Sequence, residues 1–597
     1  MKINLKKGSL LTAIALLLVS CITKQQDTPR QHTAGLDSLF DHYYNDRMRL
    51  FPLEATENGV NDYNDRLFAD FTDSYRATLR DFYEDYLQRL RQFPDSILNQ
   101  TDRSNVAILR WELELGRQGC VLPINRMPLD QFWGLHLKMG QYGSGQGMQP
   151  FKSVTDYDNW LKRLSAFSVW TDSAIVYFKK GMAEHIVLPQ ALVLKVIPQL
   201  EAMVTAIPDS NVYFGPVRMM PDSFSADERL RLTAEYRSAI TNKVVSAHRR
   251  MADFLKKEYL PVARTSHGYA NLPQGEEMYA YYVKLWTTTE LSPDSIYSIG
   301  LSEVKAIRDE MERVKEKVGF KGDLPSFFKF LYEDPKFFPF KTSEEVLNAF
   351  RSIERTIQPN VNKIFTVFPK IPFEIRQTEA FREASGSAEY ISSPDGIKPG
   401  IFYVPIPDPK KFNTAGMESL FLHEAIPGHH FQTSLQLENT ELPEFRKHIW
   451  TYGPYVEGWA LYSETLGKDL GLYKDPYQYF TALGEQMLRA VRLVMDVGIH
   501  HRGMTREAAI AYMMDNYPTT MDYAVSETER YMAIPGQALG YRIGVIRIKA
   551  MRAKYEKQLG AKFSLASFHD KFLALGSMPI DLVEQEMDRW ANEVAAK

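Results

Sequence analysis

The chain has 597 residues, 44% of them hydrophobic and 24% charged, with a formal net charge of -3. That length exceeds one ordinary compact core, so two lobes or one large helical body are expected. The near-neutral charge and the lack of any basic stripe exclude nucleic acid as a partner.

The first residues read as a targeting segment and not as part of the fold. Lys2, Lys6 and Lys7 precede a short apolar run, Leu10 to Val19, that is too short to span a bilayer. The run ends in Leu18-Val19-Ser20-Cys21, which resembles a bacterial lipobox, in which Cys21 is lipidated and becomes the first residue of the mature protein. The expected division is a signal peptide over 1–20, a polar tether over 21–35 and a helical domain over 36–597. Removal of the signal leaves Cys120 as the one cysteine besides Cys21, so no disulfide within the domain is expected.

From Leu36 the chain is read as helical. Phe40, Tyr43, Tyr44 and Leu50 mark a first amphipathic helix stopped by Pro52. Apolar residues recur at three and four positions through Ser74–Phe93, Asn105–Leu115 and Tyr157–Gly181. Met139 to Gly147, with four glycines, reads as a flexible loop, lacking the flanking strand and the lysine of a phosphate loop. Ala226 to Tyr259 reads as one long helical stretch ended by Pro261. A further helix over Asp294–Val318 follows the cap Ser292-Pro293-Asp294, and after a softer region Ser343 opens another toward Gln358.

Beyond Pro369 the texture changes to strands. Phe373–Arg376, Tyr390–Ser392 and Gly400–Pro405 have strand character, with a turn at Ser393-Pro394-Asp395-Gly396. They arrive directly before Leu422-His423-Glu424-Ala425-Ile426-Pro427-Gly428-His429-His430-Phe431, on a helix starting near Thr414 to Ser419. A His-Glu pair with a following His is how zinc peptidases hold their metal: two imidazoles bind the ion and the adjacent carboxylate takes a proton from water. The usual H-E-x-x-H spacing would place the second histidine at Pro427, so the candidates become His429 and His430. A third ligand should be a carboxylate one helix later. Tyr455 to Glu464 offers Glu457 and Glu464, seven residues apart and so on about the same helical face. Two acids on a face with Val456, Trp459 and Ala460 need a partner if buried, and a divalent ion would be one.

These residues carry a resemblance. H-E-A-I-P-G-H-H-F-Q followed by V-E-G-W-A-L-Y-S-E resembles the bacterial family known as domain of unknown function 885. It is more distantly similar to the helical zinc peptidases of the thimet-oligopeptidase and angiotensin-converting-enzyme class. The resemblance implies a mainly α, two-lobed zincin-like (gluzincin) fold with a small β-sheet beside the metal helix. It implies one Zn²⁺ on His423, His429 and Glu457, with Glu424 as general base and His430 as the alternative second ligand. Two residues are inserted before Gly428-His429, and Pro427 should distort the helix there. Arg382 to Tyr390 is similar to the family's strand segment, whose edge would pair with a peptide backbone and bring Tyr390 to the substrate. Glu529-Arg530-Tyr531, Pro535 to Ala538 and Tyr541 to Gly544 resemble a late Gly/Tyr-rich segment. There Tyr541, with Tyr531 second, would stabilise an oxyanion, and Arg542 would meet a substrate carboxylate or form a structural ion pair. Asp496, four residues from both Arg492 and His500, would accept from a ligand histidine or pair along its own helix.

The function so implied is hydrolysis of peptide bonds in short or unfolded peptides, by a site within about 382–544. The protein would be lipid-anchored in the cell envelope, in the outer membrane of a Gram-negative bacterium, as a monomer or dimer. Two rivals stand beside it: a non-catalytic nutrient-binding lipoprotein, and a peptidase fold that binds peptides without cutting them.

Overall fold

The structure, a computed structural model, describes residues 33–378, 387–393, 396–448 and 452–597. Cys21, the lipobox and the 382–386 part of the strand segment lie outside the described residues, as do Pro394 and Asp395 of the expected turn. At the end of the expected tether, Thr33 is already docked, its amide donating to the Asp102 carboxylate at 2.9 Å.

The protein is mainly helical with one small three-stranded sheet. The first helix, Leu36–Leu50, buries Leu36, Leu39, Phe40, Tyr43, Tyr44 and Met48, the three-and-four spacing of one apolar face. Asp73–Leu90 and Gln100–Gly119 follow, each opened by a side-chain cap, Thr72 and Asn99. Their apolar faces join those of helices beyond residue 346 in one core. A second core gathers residues between Leu129 and Tyr259 around the 30-residue helix Val154–Ala183.

Arg163, fully buried in that helix, ties the two cores together. Its guanidinium donates to the carbonyls of Arg66 (3.0 Å), Pro52 (2.9 Å) and Tyr63 (3.2 Å) and to the Thr56 hydroxyl (2.8 Å). The two buried acceptors, the Pro52 carbonyl and the Thr56 hydroxyl, would each cost about 1–3 kcal/mol if left bare.

Three expectations need correction. The glycine-rich loop is half helix: Leu135–Gly143 is helical because Met139 and Tyr142 are pulled into the second core. The soft region contains the helix Leu324–Glu333, capped by Asp323 and burying Leu324, Phe327, Phe328 and Leu331. The helix expected to stop near Gln358 runs through Pro359 to Ile364. Proline inside a helix costs about 3 kcal/mol, and burial of Ile357, Val361 and Ile364 along one face offsets that cost. The stretch from Ala226 to Tyr259 is helical as expected, with wider turns at Ile240–Val245 and Leu255–Tyr259.

The sheet has strands β1 (Phe373–Gln377), β2 (Glu389–Ile391) and β3 (Gly400–Val404) in the order β1-β3-β2. β1 runs parallel to β3 and β2 antiparallel to it, with Tyr390 opposite Phe402. Phe402 packs against Phe350 on one side and Phe421 on the other, which wedges the sheet against the helix Met417–Glu424. Among the described residues β1 and β2 form the two edges of the sheet. Among the described residues, no helix is long and apolar enough to cross a membrane.

Candidate metal centre

The eight-residue helix Met417–Glu424 brings His423 and Glu424 into the interior at its last turn. It stops there because Ala425 leaves helical geometry and Pro427 follows, lacking an N–H to continue the ladder. A new helix, His429–Glu438, begins after Gly428. The return is so tight that a Cβ on Gly428 would sit 1.8 Å from the His423 carbonyl oxygen, so only glycine fits. The Trp459 indole donates to the Pro427 carbonyl at 2.8 Å and pins the junction. The two inserted residues are thus absorbed by breaking the helix. His423 ends one helix and His429 begins the next, their rings 4.9 Å apart and nearly perpendicular.

Glu457 comes from the helix Gly453–Thr465. Its Oε2 lies 3.6 Å from His423 Nε2 and 3.5 Å from His429 Nε2, and one ligand atom from each of the three residues falls within 4.8 Å of the others. A tetrahedral zinc with bonds of about 2.0–2.1 Å separates its ligand atoms by roughly 3.3–3.4 Å, so the trio fits that ion in donor type and spacing. The helix is set by a backbone contact with Leu539–Leu559. A Cβ on Gly458 would meet Gly544 Cα at 2.6 Å, and one on Gly544 would meet the Pro454 carbonyl at 2.2 Å.

Glu464, two turns beyond Glu457, is buried and is no member of the trio. Its Oε1 lies 2.8 Å from His423 Nδ1, while Ser419 donates to its Oε2 at 3.0 Å and Tyr473 to its main-chain carbonyl at 2.8 Å. A carboxylate on the far ring nitrogen fixes the ring and directs Nε2 outward. Asp496, the acceptor weighed from the sequence, does neither expected thing. It takes the Tyr279 hydroxyl at 2.7 Å and the Gly536 amide at 3.0 Å, and burial pushes its carboxyl up to about 7. We expect Glu464→Gln to weaken zinc affinity about 10–100-fold with the fold unchanged. An unaltered zinc titration would remove Glu464 from this role.

The electrostatics match a cation site. Burial works against charge on His423, yet hydrogen bonds to Glu457 and Glu464 outweigh it and raise the imidazole to about 10. Burial would likewise raise Glu457, but the two histidines hold it well below the usual carboxylate range. Both shifts favour positive charge between the three side chains. Glu424 is pushed upward by burial, with His423 and His429 pulling the other way and the Tyr390 amide donating to it.

His430 points elsewhere. It is buried, stacks near Phe373 with ring centroids 4.6 Å apart, and has its Nδ1 at 3.1 Å from the Tyr390 hydroxyl and 3.2 Å from the Ser434 hydroxyl. Burial depresses its imidazole to about 4.

The late segment places its three candidates in different surroundings. Tyr531 is buried, donates to Glu527 at 2.6 Å and accepts from Arg492 at 3.0 Å. Arg542 is buried against Glu303, 2.8 Å from its Nε, the structural ion pair of the two alternatives. Tyr541 is half-buried beneath the Arg492 guanidinium, which stands 4.7 Å from its ring centre.

A cavity of about 740 Å³ reaches the trio. His429 and Glu457 line it together with Tyr390 and Ile391 of β2 and the adjoining Ser392, with Arg47, Glu54 and Glu57 of the first helices, and with Asp70 of the turn before Asp73–Leu90. That volume lies within the range of pockets for small ligands, about 300–1,000 Å³.

The fold and site define a helical protein with a partly buried His-His-Glu cluster that could hold a metal ion. Residues 52–587 match the model of the bacterial proteins of unknown function DUF885, so the chain belongs to that family. A crystal structure from Colwellia psychrerythraea, described as a "putative lipoprotein", superposes with a TM-score of 0.85 at 27% identity, over 94% of this chain and 99% of that one. Another from Shewanella oneidensis, described as a "putative lipoprotein of unknown function", gives 0.74 at 19% identity over 93% and 99%, a likeness of fold alone. No curated protein matches.

Proposed function

We propose that this protein is a zinc-dependent, gluzincin-like peptidase acting on short or unfolded peptides. The observation that carries the reading is the convergence of His423, His429 and Glu457 at the end of a cavity, with Glu424 as the next residue in the chain. Those three residues would hold the metal. When bound, zinc supplies Lewis acidity, polarising a carbonyl and acidifying water. Glu424 accepts a proton from the attacking water at its carboxylate and returns it to the departing amine. Its buried setting, which raises its proton affinity, suits that exchange. β2, an edge strand of the sheet beside it, would offer main-chain groups to an extended peptide, and Tyr541 is the candidate donor to the oxyanion.

The test is hydrolysis of a defined mixture of tetrapeptides by purified protein whose metal content is measured. About one zinc per chain, loss of cleavage on chelation and its return with added zinc are expected. Fully zinc-loaded protein that cleaves nothing would overturn the reading and leave a binding protein. Cleavage that persists after the zinc has been stripped would overturn the metal assignment.

We also infer an envelope location through a lipid on Cys21, from Leu18-Val19-Ser20-Cys21 and from the descriptions of the two similar structures. Cys21→Ser should leave the membrane fraction in alkaline carbonate. Retention equal to the parent protein would count against the anchor.

A further inference from the structure

The cavity that ends at His429 and Glu457 carries an unbalanced negative charge in its lining. Apart from the cluster itself, its permanent charges are the carboxylates Glu54, Glu57 and Asp70 and the cations Arg47 and Lys138. Both cations are already committed. Arg47 lies between Glu54, at 2.7 Å, and Glu112 behind the wall, at 2.6 Å. Lys138 is on Glu57 at 2.7 Å. His448, also in the lining, is paired with Glu444 at 3.1 Å. Asp70 lines the cavity with its side chain exposed, and it makes no ion pair among the described residues. Its carboxylate meets its own and the Phe71 amides, with Lys138 attracting it from further off. A carboxylate so placed is stabilised by a cation arriving with the ligand.

We propose that Asp70 is a specificity determinant that receives an ammonium group of a bound peptide, so that the cavity selects cationic peptides over neutral ones. This rests on the reading of the cavity as a peptide site. The ammonium could be the free N-terminus or a lysine side chain, since the chemistry at Asp70 is the same. The surrounding lining of Leu50, Phe51, Leu53, Leu67 and Phe68 would accept the apolar part of either. The competing role for Asp70 is local, holding the turn before the helix Asp73–Leu90 through amide contacts. That role affects stability and is blind to the charge of the ligand.

The test therefore reads charge selectivity. Binding is measured by calorimetry on zinc-loaded Glu424→Gln protein, with and without Asp70→Asn, using three probes. They are tetra-alanine with a free amine, N-acetyl-tetra-alanine, and N-acetyl-Ala-Lys-Ala-Ala. Asp70→Asn should weaken an ammonium-bearing probe about tenfold, the scale of one charge-assisted hydrogen bond, and leave the neutral probe unchanged. Asp70→Glu should recover most of the loss. Loss confined to free-amine tetra-alanine identifies the N-terminus as the source, and loss confined to the lysine probe identifies the side chain. Equal effects on neutral and charged probes, no preference for charged probes in the parent, or no binding of any probe would overturn the proposal. Hydrolysis by the wild type is scored separately. Charge-selective binding without cleavage sinks the peptidase reading and spares Asp70, while cleavage without charge selectivity does the reverse.

Discussion

Glu424→Gln should retain the zinc content of the parent protein and lose about 10²–10⁴-fold in kcat, the usual contribution of a positioned general acid–base group. The substitution keeps the shape of the side chain and removes the atom that accepts a proton. Glu424 is not one of the three converging ligands, so metal retention is expected. It is buried, and an amide there can still meet the Tyr390 N–H that now approaches the carboxylate, so the fold should survive. Zinc analysis and steady-state kinetics on the same preparation check both halves. A variant that loses zinc would make Glu424 a ligand, and one with normal kcat would remove it from the chemistry. Tyr541→Phe provides the comparison, since loss of one oxyanion donor costs about 10²–10³-fold with KM nearly constant. A normal kcat there would leave the oxyanion without Tyr541. Tyr531 is a poor substitute because Glu527 and Arg492 already use its hydroxyl.

The helices and the three strands were legible because their signals are local. Spacing of apolar residues marked faces such as Leu36–Met48, and the β-branched and aromatic runs at 373–377 and 400–404 marked the sheet. What was missed depends on distant contacts. Helix continued through Pro359 because Val361 and Ile364 gain burial against other parts of the chain. Met139 to Gly143 is helical because the second core lies beneath it.

The same division runs through the site. His423, Glu424 and Glu457 stood out by residue type and spacing, while the role of Glu464 did not. Seven residues from Glu457 it looked like another candidate for the third ligand, and only the placement of its helix turns it toward His423 Nδ1. Arg542 and Tyr531 were attractive in a Gly/Tyr-rich segment, but their partners Glu303 and Glu527 cannot be assigned from sequence alone. Asp70 gave no signal, because a carboxylate without an ion pair among the described residues becomes notable only once it is known to line a cavity whose described cations are engaged.

The sharpest separation is between neighbours. His429→Ala should empty the site of zinc, whereas His430→Ala should remain zinc-loaded and lose stability instead. Position along a single helix would favour neither, since the two residues are adjacent and both follow Gly428. The broken helix decides it. His429 opens the second helix and turns its Nε2 to Glu457 at 3.5 Å. His430, about 100° further round that helix, turns into the sheet, where Phe373 and the hydroxyls of Tyr390 and Ser434 enclose it. Removing the buried imidazole leaves a void and takes one partner from those hydroxyls, so His430→Ala should cost about 2–4 kcal/mol, read as a lower melting temperature at unchanged zinc stoichiometry. His429 is less enclosed and its ring faces the cavity, so His429→Ala should fold normally without metal. Zinc analysis and thermal melts of the two variants side by side distinguish them. A zinc-loaded His429→Ala beside an empty His430→Ala would reverse the assignment, and with it the claim that breaking the helix accommodates the two inserted residues.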